Sequence, residues 1–253
     1  MATRVRLDVA MVERGLSRSR EQAQRLVMAG RVRVNGQPGA KPGRGIGPDD
    51  AIEVEVPEKF ASRGGHKLEA ALDRFAISCE GRVCLDLGAS TGGFTDCLLQ
   101  RGARRVFAVD VGRCQLDGRL AADPRVTVLD GVNARHLVPA MLGEAPDLVT
   151  ADVSFISLEK VLPAASACAC PGADFVVLVK PQFEAGREQV GRGGVVRDEA
   201  VRLAVLARIR AFAGKALNAE WLGDMESPLR GPAGNIEYLA WFRLPAPPGA
   251  PPP

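Results

Sequence analysis

Histidine is almost absent from this chain: His66 and His136 are the only two in 253 residues. The six cysteines, at 79, 84, 97, 114, 168 and 170, include no Cys-x-x-Cys spacing. A zinc site would therefore lack its usual ligands, and no metal is expected. These cysteines lie in or beside apolar segments and read as buried free thiols in a reducing compartment. No apolar run reaches 18 residues, so no transmembrane helix is expected. The first fifteen residues, MATRVRLDVAMVERG, carry charges throughout and have no signal-peptide core. A cytoplasmic protein away from the membrane follows as the expectation. The remaining bulk is ordinary: 46% hydrophobic and 25% charged residues, in a length that suits one large or two modest domains.

A strong overall charge is also missing, because the formal net charge is only +3. Its placement is uneven. Residues 1–35 hold eight arginines (4, 6, 14, 18, 20, 25, 31 and 33) against Asp8, Glu13 and Glu21. Residues 61–253 are balanced, with 22 basic and 22 acidic side chains. The basic excess belongs to the N-terminal segment and points to a polyanion partner there.

That segment has its own pattern. Leu7, Ala10, Met11 and Leu16 suggest a short helix ended by Gly15. Ser17 or Ser19 can cap a second, over Arg20 to Ala29, closed by Gly30. Arg31 to Val34 alternates like a strand and runs into an Asn35-Gly36 turn; Ala51 to Val56 alternates again. Arg18, Arg20, Arg25, Arg31 and Arg33 would line one edge of this unit, with Arg4 and Arg6 nearby. The competing reading is a solvated basic face on a small structural domain. Pro57 to Ser62 is a plausible linker, and the proline-rich tail over 245–253 is too poor in core-forming residues to fold.

The rest of the chain is organised around Val83 to Leu99 (VCLDLGASTGGFTDCLL), read as a buried strand, a glycine turn and a helix. Gly88, Gly92 and Gly93 let the backbone turn sharply and let a ligand come close. The spacing is G-x-x-x-G-G with Asp86 two residues ahead, not the G-x-G-x-x-G of dinucleotide folds. The next strand, Arg104 to Asp110, ends in an acid that can accept hydrogen bonds from ribose hydroxyls. Together these resemble the S-adenosylmethionine site of Rossmann-like methyltransferases. Candidate cofactor residues are Asp86, Gly88, Ala89, Ser90, Thr91, Gly92, Gly93, Phe94 and Asp110. A glycine turn that merely packs strand on helix is the alternative. Asp130 and Asn133, after a third strand at Arg125 to Asp130, can bond an adenine or simply form a strand-end turn.

Pro146 to Asp152 reads as a fourth strand that delivers Asp152 to the same rim, as a site residue or as a helix cap. Ala173 to Val179 is continuously apolar, as for a strand covered on both faces, and ends in Lys180. A lysine at that position tends to lose water, which lowers its pKa and suits it to be a general base. Lys67 lies one residue before the apolar face of a helix (Leu68, Ala71, Leu72, Phe75) and by itself reads as a snorkelling lysine. Ala185 to Val196, with Arg187 and Arg192 among four glycines, reads as a mobile substrate loop or as plain surface. Asn218 to Glu226 and Asn235 to Leu244 would close the sheet as an antiparallel pair.

RLDVAMVERGLSRSREQAQRLVMAGRVRVNGQ followed by PDDAIEV resembles the S4-type RNA-binding domain. With SRGGHKL, DLGASTGGFTDCLL, ADVSFISL, LVKPQFE and GNIEYLAWF behind it, the chain resembles the TlyA family within the wider FtsJ/RrmJ-like group. The resemblance spans residues 4 to about 244. It implies a seven-stranded, mostly parallel α/β sheet with an antiparallel last strand, over 63–244, behind a small α+β unit at 1–56. It implies 2′-O-methylation of cytidine in ribosomal RNA, with S-adenosylmethionine as cofactor and ribosomal subunits as partners. Some members carry a haemolysin label. The group's Lys-Asp-Lys-Glu tetrad falls here on Lys67, Asp152, Lys180 and Glu237, with Asp152 also beside the cofactor. Arg63, Arg187 and Arg192 join the N-terminal arginines as RNA-binding candidates. A non-catalytic RNA-binding assembly factor and a cytolysin stay open as other classes. Oligomeric state is open too, with a monomer as the simplest expectation.

Overall fold

A computed structural model describes residues 4–39, 41–55 and 58–247. The chain forms two compact units that divide between Glu58 and Lys59. Part of the expected linker and the tail from residue 248 lie outside the described residues.

The first unit follows the order β1 (Val5–Arg6), α1 (Leu7–Glu13), α2 (Arg20–Met28), β2 (Val32–Val34), β3 (Gln37–Pro38), β4 (Gly45–Ile46) and β5 (Ile52–Val54). β2 pairs antiparallel with β3 and β5, and β1 with β4. Ser19, not Ser17, caps α2, accepting from the Gln22 amide at 3.2 Å. Asn35 and Gly36 both take positive φ, the conformation a two-residue hairpin turn requires. Leu7, Met11, Ala23, Val27, Val32, Val34 and Ile46 form the core.

The arginines of this unit are not equivalent. Asp8 is fully buried and accepts from Arg6 Nη2 at 2.9 Å, Arg20 Nε at 3.0 Å and Gln24 Nε2 at 2.8 Å. The Arg6 hydrogen bond is the main reason its carboxyl is held well below the usual carboxylate range. Arg14 is structural, donating to the carbonyls of Gly47, Pro48 and Asp50, and Arg33 pairs with Glu55 at 3.2 Å. Arg4, Arg18 and Arg25 are exposed and Arg31 is half-buried.

The second unit contains α3 (Gly64–Phe75), β6 (Val83–Leu87), α4 (Gly93–Gln100), β7 (Arg105–Asp110), α5 (Gly118–Ala121), β8 (Val126–Asp130), β9 (Leu148–Ala151), α6 (Leu158–Cys168), β10 (Asp174–Val179), α7 (Pro181–Glu184), α8 (Glu199–Ala216), β11 (Glu220–Glu226) and β12 (Tyr238–Arg243). They build one seven-stranded sheet in the order β11-β12-β10-β9-β6-β7-β8. All neighbours from β10 to β8 are parallel, and β12 runs antiparallel between β10 and β11. Helices cover both faces, which is why β6 and β10 are buried at every residue. Val83, Leu85 and Leu87 face α6 and α8, whereas Cys84 faces α3 and α4.

Residues 59–62, expected as linker, belong to this unit. Phe60 is buried in the α3–α4 core, and the Ala61 amide donates to Asp96 at 2.8 Å. Not every thiol is hidden either: Cys114 is exposed and Cys170 half-buried, while Cys79, Cys84, Cys97 and Cys168 are buried. Below the sheet, Arg82 joins the starts of three strands. It donates to Asp147 at 2.6 Å and Asp174 at 2.9 Å, and Arg243 from the end of β12 reaches Asp174 at 2.9 Å.

Asp86 is not at the surface of the glycine turn. It is fully buried on the α4 side of β6 and is held by Thr95 Oγ1 of α4 at 2.7 Å and Thr150 Oγ1 of β9 at 3.1 Å. Expected among the cofactor residues, it braces strand against helix from a fully buried position. Burial pushes its carboxyl up to about 7. With the folded pKa above the unfolded one, the protonated acid is favoured in the fold. Its contribution is complete below about pH 4 and lost as pH rises through about 7. Asp86→Asn does not titrate, so its stability relative to the natural protein should rise across pH 4 to 7, by about 4 kcal/mol at most. Denaturant melts of both proteins across that range check this; a difference that does not change with pH would refute it.

Candidate active site

Four strand ends converge on one rim. Gly88 follows β6, Asp110 ends β7, Asp152 follows β9 and Lys180 follows β10. Parallel strands put these carboxyl ends on the same side, where open α/β sheets hold ligands. Two glycine contacts bring the parts close. A Cβ on Gly88 would lie 2.6 Å from the Asp152 carbonyl, and one on Gly93 would lie 2.9 Å from the Gly65 amide. The first contact brings the glycine turn against the Asp152 segment. The second lets the start of α4 press against the start of α3, which carries Lys67.

The four tetrad candidates line one cavity of about 590 Å³, together with Ser62, Arg63, Ser154, Gln182 and Phe183. They form two ion pairs. Lys180 Nζ lies 2.6 Å from Asp152 Oδ1 and also donates to Ser154 Oγ at 2.8 Å. Lys67 Nζ donates to Glu237 Oε2 at 2.6 Å. Lys67 is 8% exposed, so its side chain turns inward rather than snorkelling along the helix. A single-helix reading could not find this, because Glu237 is 170 residues away. At the mouth, Phe155 is 90% exposed and sits at a positive φ of 62°, a conformation a bulky side chain seldom takes. Its ring centroid is 4.8 Å from that of Phe183.

A second cavity of about 920 Å³ shares Gly88, Ser90, Asp152, Ser154, Phe155 and Phe183 with the first. Asp110, Gln115 and Asn133 line it, as do Arg135, Lys160 and Arg187. Asp110 accepts from the Ser90 amide at 2.8 Å and the Gly112 amide at 2.7 Å, which leaves lone pairs for ligand hydroxyls. Asp152 supplies negative charge on the wall common to both cavities. A cleft of this size, with an acceptor carboxylate at one strand end and an anionic wall at another, fits S-adenosylmethionine.

The expected cofactor residues divide. Gly88, Ser90 and Asp152 line both cavities; Ala89, Thr91, Gly93 and Phe94 line the smaller; Asp110 and Asn133 line the larger. Asp86, Gly92 and Asp130 line neither. Gly92 is tucked beneath Leu116 and Leu120, and the Asp130 carboxylate accepts from the Cys114 amide at 2.8 Å. Of the expected RNA contacts here, Arg63 lines the smaller cavity and Arg187 the larger, while Arg192 is exposed and lines neither.

Ser154, Gln182, Glu184 and Asn235 were missed, although each stands beside a tetrad residue in its motif. Gln182 Nε2 donates to Glu237 Oε1 at 2.9 Å. Glu184 accepts from Ser157 Oγ and the Leu158 amide, both at 2.7 Å, and burial raises its pKa. It thereby fixes the loop that carries Asp152 and Ser154. Asn235 is buried; it donates to the Gly194 carbonyl at 2.8 Å and accepts from the Val196 amide at 3.0 Å. The segment expected to be mobile is therefore tied to the stretch leading into β12, which starts at Tyr238 and not at Asn235, and its Gly193-Gly194 turn is a wall of the smaller cavity.

Residues 60–244 match the family described as FtsJ-like methyltransferase, and residues 5–52 match the S4 domain. The 16S/23S rRNA (cytidine-2′-O)-methyltransferase TlyA of Mycobacterium tuberculosis is 51% identical over 247 residues, covering 96% of this chain and 91% of that protein. Hemolysin A of Brachyspira hyodysenteriae is 42% identical over 243 residues, 94% of this chain and 99% of that one. A solved structure of a Streptococcus thermophilus protein named for hemolysin superposes with a TM-score of 0.73 at 43% identity, covering 98% and 91%.

Asn235→Ala strips the partners from a buried amide and a carbonyl, and should cost about 1–3 kcal/mol of unfolding free energy. Limited proteolysis should then cut the 191–195 segment faster than in the natural protein. Unchanged cutting there would show that the segment is held by other means.

Proposed function

The chain belongs to the TlyA family of FtsJ-like methyltransferases, with an S4 domain preceding the catalytic unit, and on that premise we propose that it methylates the ribose 2′-OH of a cytidine in ribosomal RNA. The observation that carries the reading is the pairing of two lysines with two carboxylates at the rim, beside the glycine turn. When bound, S-adenosylmethionine supplies a methyl group on a positive sulfonium, so that transfer to oxygen is an in-line displacement.

The protein's part is alignment and proton removal. A 2′-OH is a weak acid and a poor nucleophile, so a base must take its proton as the new bond forms. Lys180 is that base once its ion-paired ammonium has given up a proton, and Asp152 stabilises the ammonium that forms again when it takes the hydroxyl proton. Ser154 Oγ holds the Lys180 side chain from a second direction. Lys67 and Glu237 position the ribose across the cavity, and their short pairing keeps both rigid. The exposed ring of Phe155, braced edgewise by the tilted ring of Phe183, offers a face for a base drawn out of its stack.

The N-terminal unit supplies the hold on RNA. Arg18 and Arg25 are exposed and suited to phosphates, whereas Arg6 and Arg20 are partly engaged by Asp8. A ribosomal substrate supports a cytoplasmic location. The haemolysin name of some relatives finds no counterpart in a membrane-crossing helix among the described residues. Among the described residues no cysteine lines either cavity for attack on a base: Cys84 lies fully buried within β6, and the exposed Cys114 is outside both.

Lys180→Ala should keep S-adenosylmethionine affinity within about threefold and lower methyl transfer by about 10²–10⁴-fold. Transfer of labelled methyl to ribosomal subunits measures this, and full turnover would remove Lys180 from the role of base. Arg18→Ala and Arg25→Ala should each weaken RNA binding and reduce the slope of log affinity against log salt by about 1. An unchanged slope would place the phosphate contacts elsewhere.

A further inference from the structure

Gln182 stands in α7, two residues beyond Lys180, and faces the cavity that holds the tetrad. Its Nε2 donates to Glu237 Oε1 at 2.9 Å, while the other Glu237 oxygen takes Lys67. This settles which way the amide points, because a turned amide would set its oxygen against a carboxylate. The arrangement is tight. A Cβ on Gly231 would fall 2.6 Å from Glu237 Oε1 and 3.6 Å from Gln182 Nε2.

The amide oxygen is left over. Gln182 Oε1 is sealed from solvent and accepts no hydrogen bond. Among the described residues only Ser17 Oγ and Arg202 Nε share that condition, and neither residue lines this cavity. A buried acceptor without a donor is costly, so a ligand donor brought to this oxygen gains more than one that meets a solvated acceptor.

Resting on the function proposed above, the occupant is a cytidine within an RNA chain. Such a nucleotide has few donors. Its 3′ and 5′ oxygens are phosphodiesters, which leaves the 2′-OH and the 4-amino group. The 2′-OH has one proton, and that proton goes to Lys180. We propose that Gln182 Oε1 accepts a hydrogen bond from the 4-amino group of the target cytosine, so that Gln182 selects cytidine over uridine. Uridine presents a carbonyl oxygen at that position, and two acceptors would then face each other. Since Oε1 has no solvent contact, the base reaches it only as the cavity wall yields. The turn around Gly231, which packs against Glu237 and the Gln182 amide and whose neighbours Leu229, Arg230, Pro232 and Ala233 line the cavity, is the part of the wall next to that oxygen.

Gln182 also orients Glu237, so its loss lowers the rate on any nucleotide. A cycle over residue and base separates the two effects. Methyl transfer is measured on ribosomal subunits carrying the mapped target as cytidine or as uridine, with the natural protein, Gln182→Leu and Gln182→Glu. The natural protein should prefer cytidine by about 10- to 100-fold. Gln182→Leu should fall on cytidine and bring the ratio near one, with S-adenosylmethionine affinity unchanged. Gln182→Glu keeps an acceptor oxygen and should keep the preference at a lower rate, since a second carboxylate then faces Glu237. An equal fall on both substrates with Gln182→Leu overturns the proposal, as does a Glu variant that loses the preference. If the natural protein methylates neither RNA, the proposed function fails instead, and that outcome is distinct from both.

Discussion

A lysine ammonium that leaves water needs a counter-charge within one hydrogen bond, and the catalytic unit is arranged to meet that need twice. Lys67 and Lys180 are both nearly buried, and each has a carboxylate at 2.6 Å. Removing one partner of such a pair leaves a bare charge in a poorly solvated place, at a typical cost of about 3–5 kcal/mol. The partners come from distant parts of the chain: α3 with β12, and the end of β9 with the end of β10. The charge requirement therefore ties the sheet's order to the site. β9 and β10 must be neighbours for the Asp152–Lys180 pair. β12, running antiparallel beside β10, brings Glu237 from just before its first residue to the same rim.

The two cavities give this rim a division of labour. They share Gly88, Ser90, Asp152, Ser154, Phe155 and Phe183, so ligands held in the two would meet at a common wall. Asp152 serves both sides of that wall, which explains why its own loop is so firmly held. Glu184 grips Ser157 and the Leu158 amide, and the Asp152 amide donates to the Leu87 carbonyl at 2.9 Å. Residues around the tetrad are thus devoted to keeping its members in place. Ser154, Gln182, Glu184 and Asn235 each make a hydrogen bond that fixes a tetrad residue or a cavity wall.

Much of the fold could be read along the chain. The strand at Val83 to Leu87 and the apolar run ending in Lys180 are buried on both faces, and hydrophobicity broken in the first only by Asp86 reports that directly. Asn35-Gly36 announced its turn through backbone chemistry alone. The departures share one cause, which is that they depend on partners far away in sequence. Asp86 belongs to a ligand-binding pattern by spacing, yet Thr95 and Thr150 enclose it. Phe60 reads as linker until α3 and α4 close over it. Lys67 reads as a surface lysine until Glu237 reaches it. The 185–196 segment reads as free until Asn235 ties it down.

The sequence by itself determined the division into a basic N-terminal unit and a neutral α/β unit and the glycine turn after the first buried strand, while the four charged candidates of the tetrad came only through the family resemblance. The first two are local properties, carried by composition, by hydrophobic period and by motif spacing. Only the tertiary structure decided how the four charges pair, which acid faces ligand and which braces a strand, and which arginines stay exposed. Those outcomes turn on hydrogen-bond distance and burial, which strand order and helix packing set. The unpartnered oxygen of Gln182 is the sharpest case, because its lack of a partner can be recognised only when every neighbour is in place.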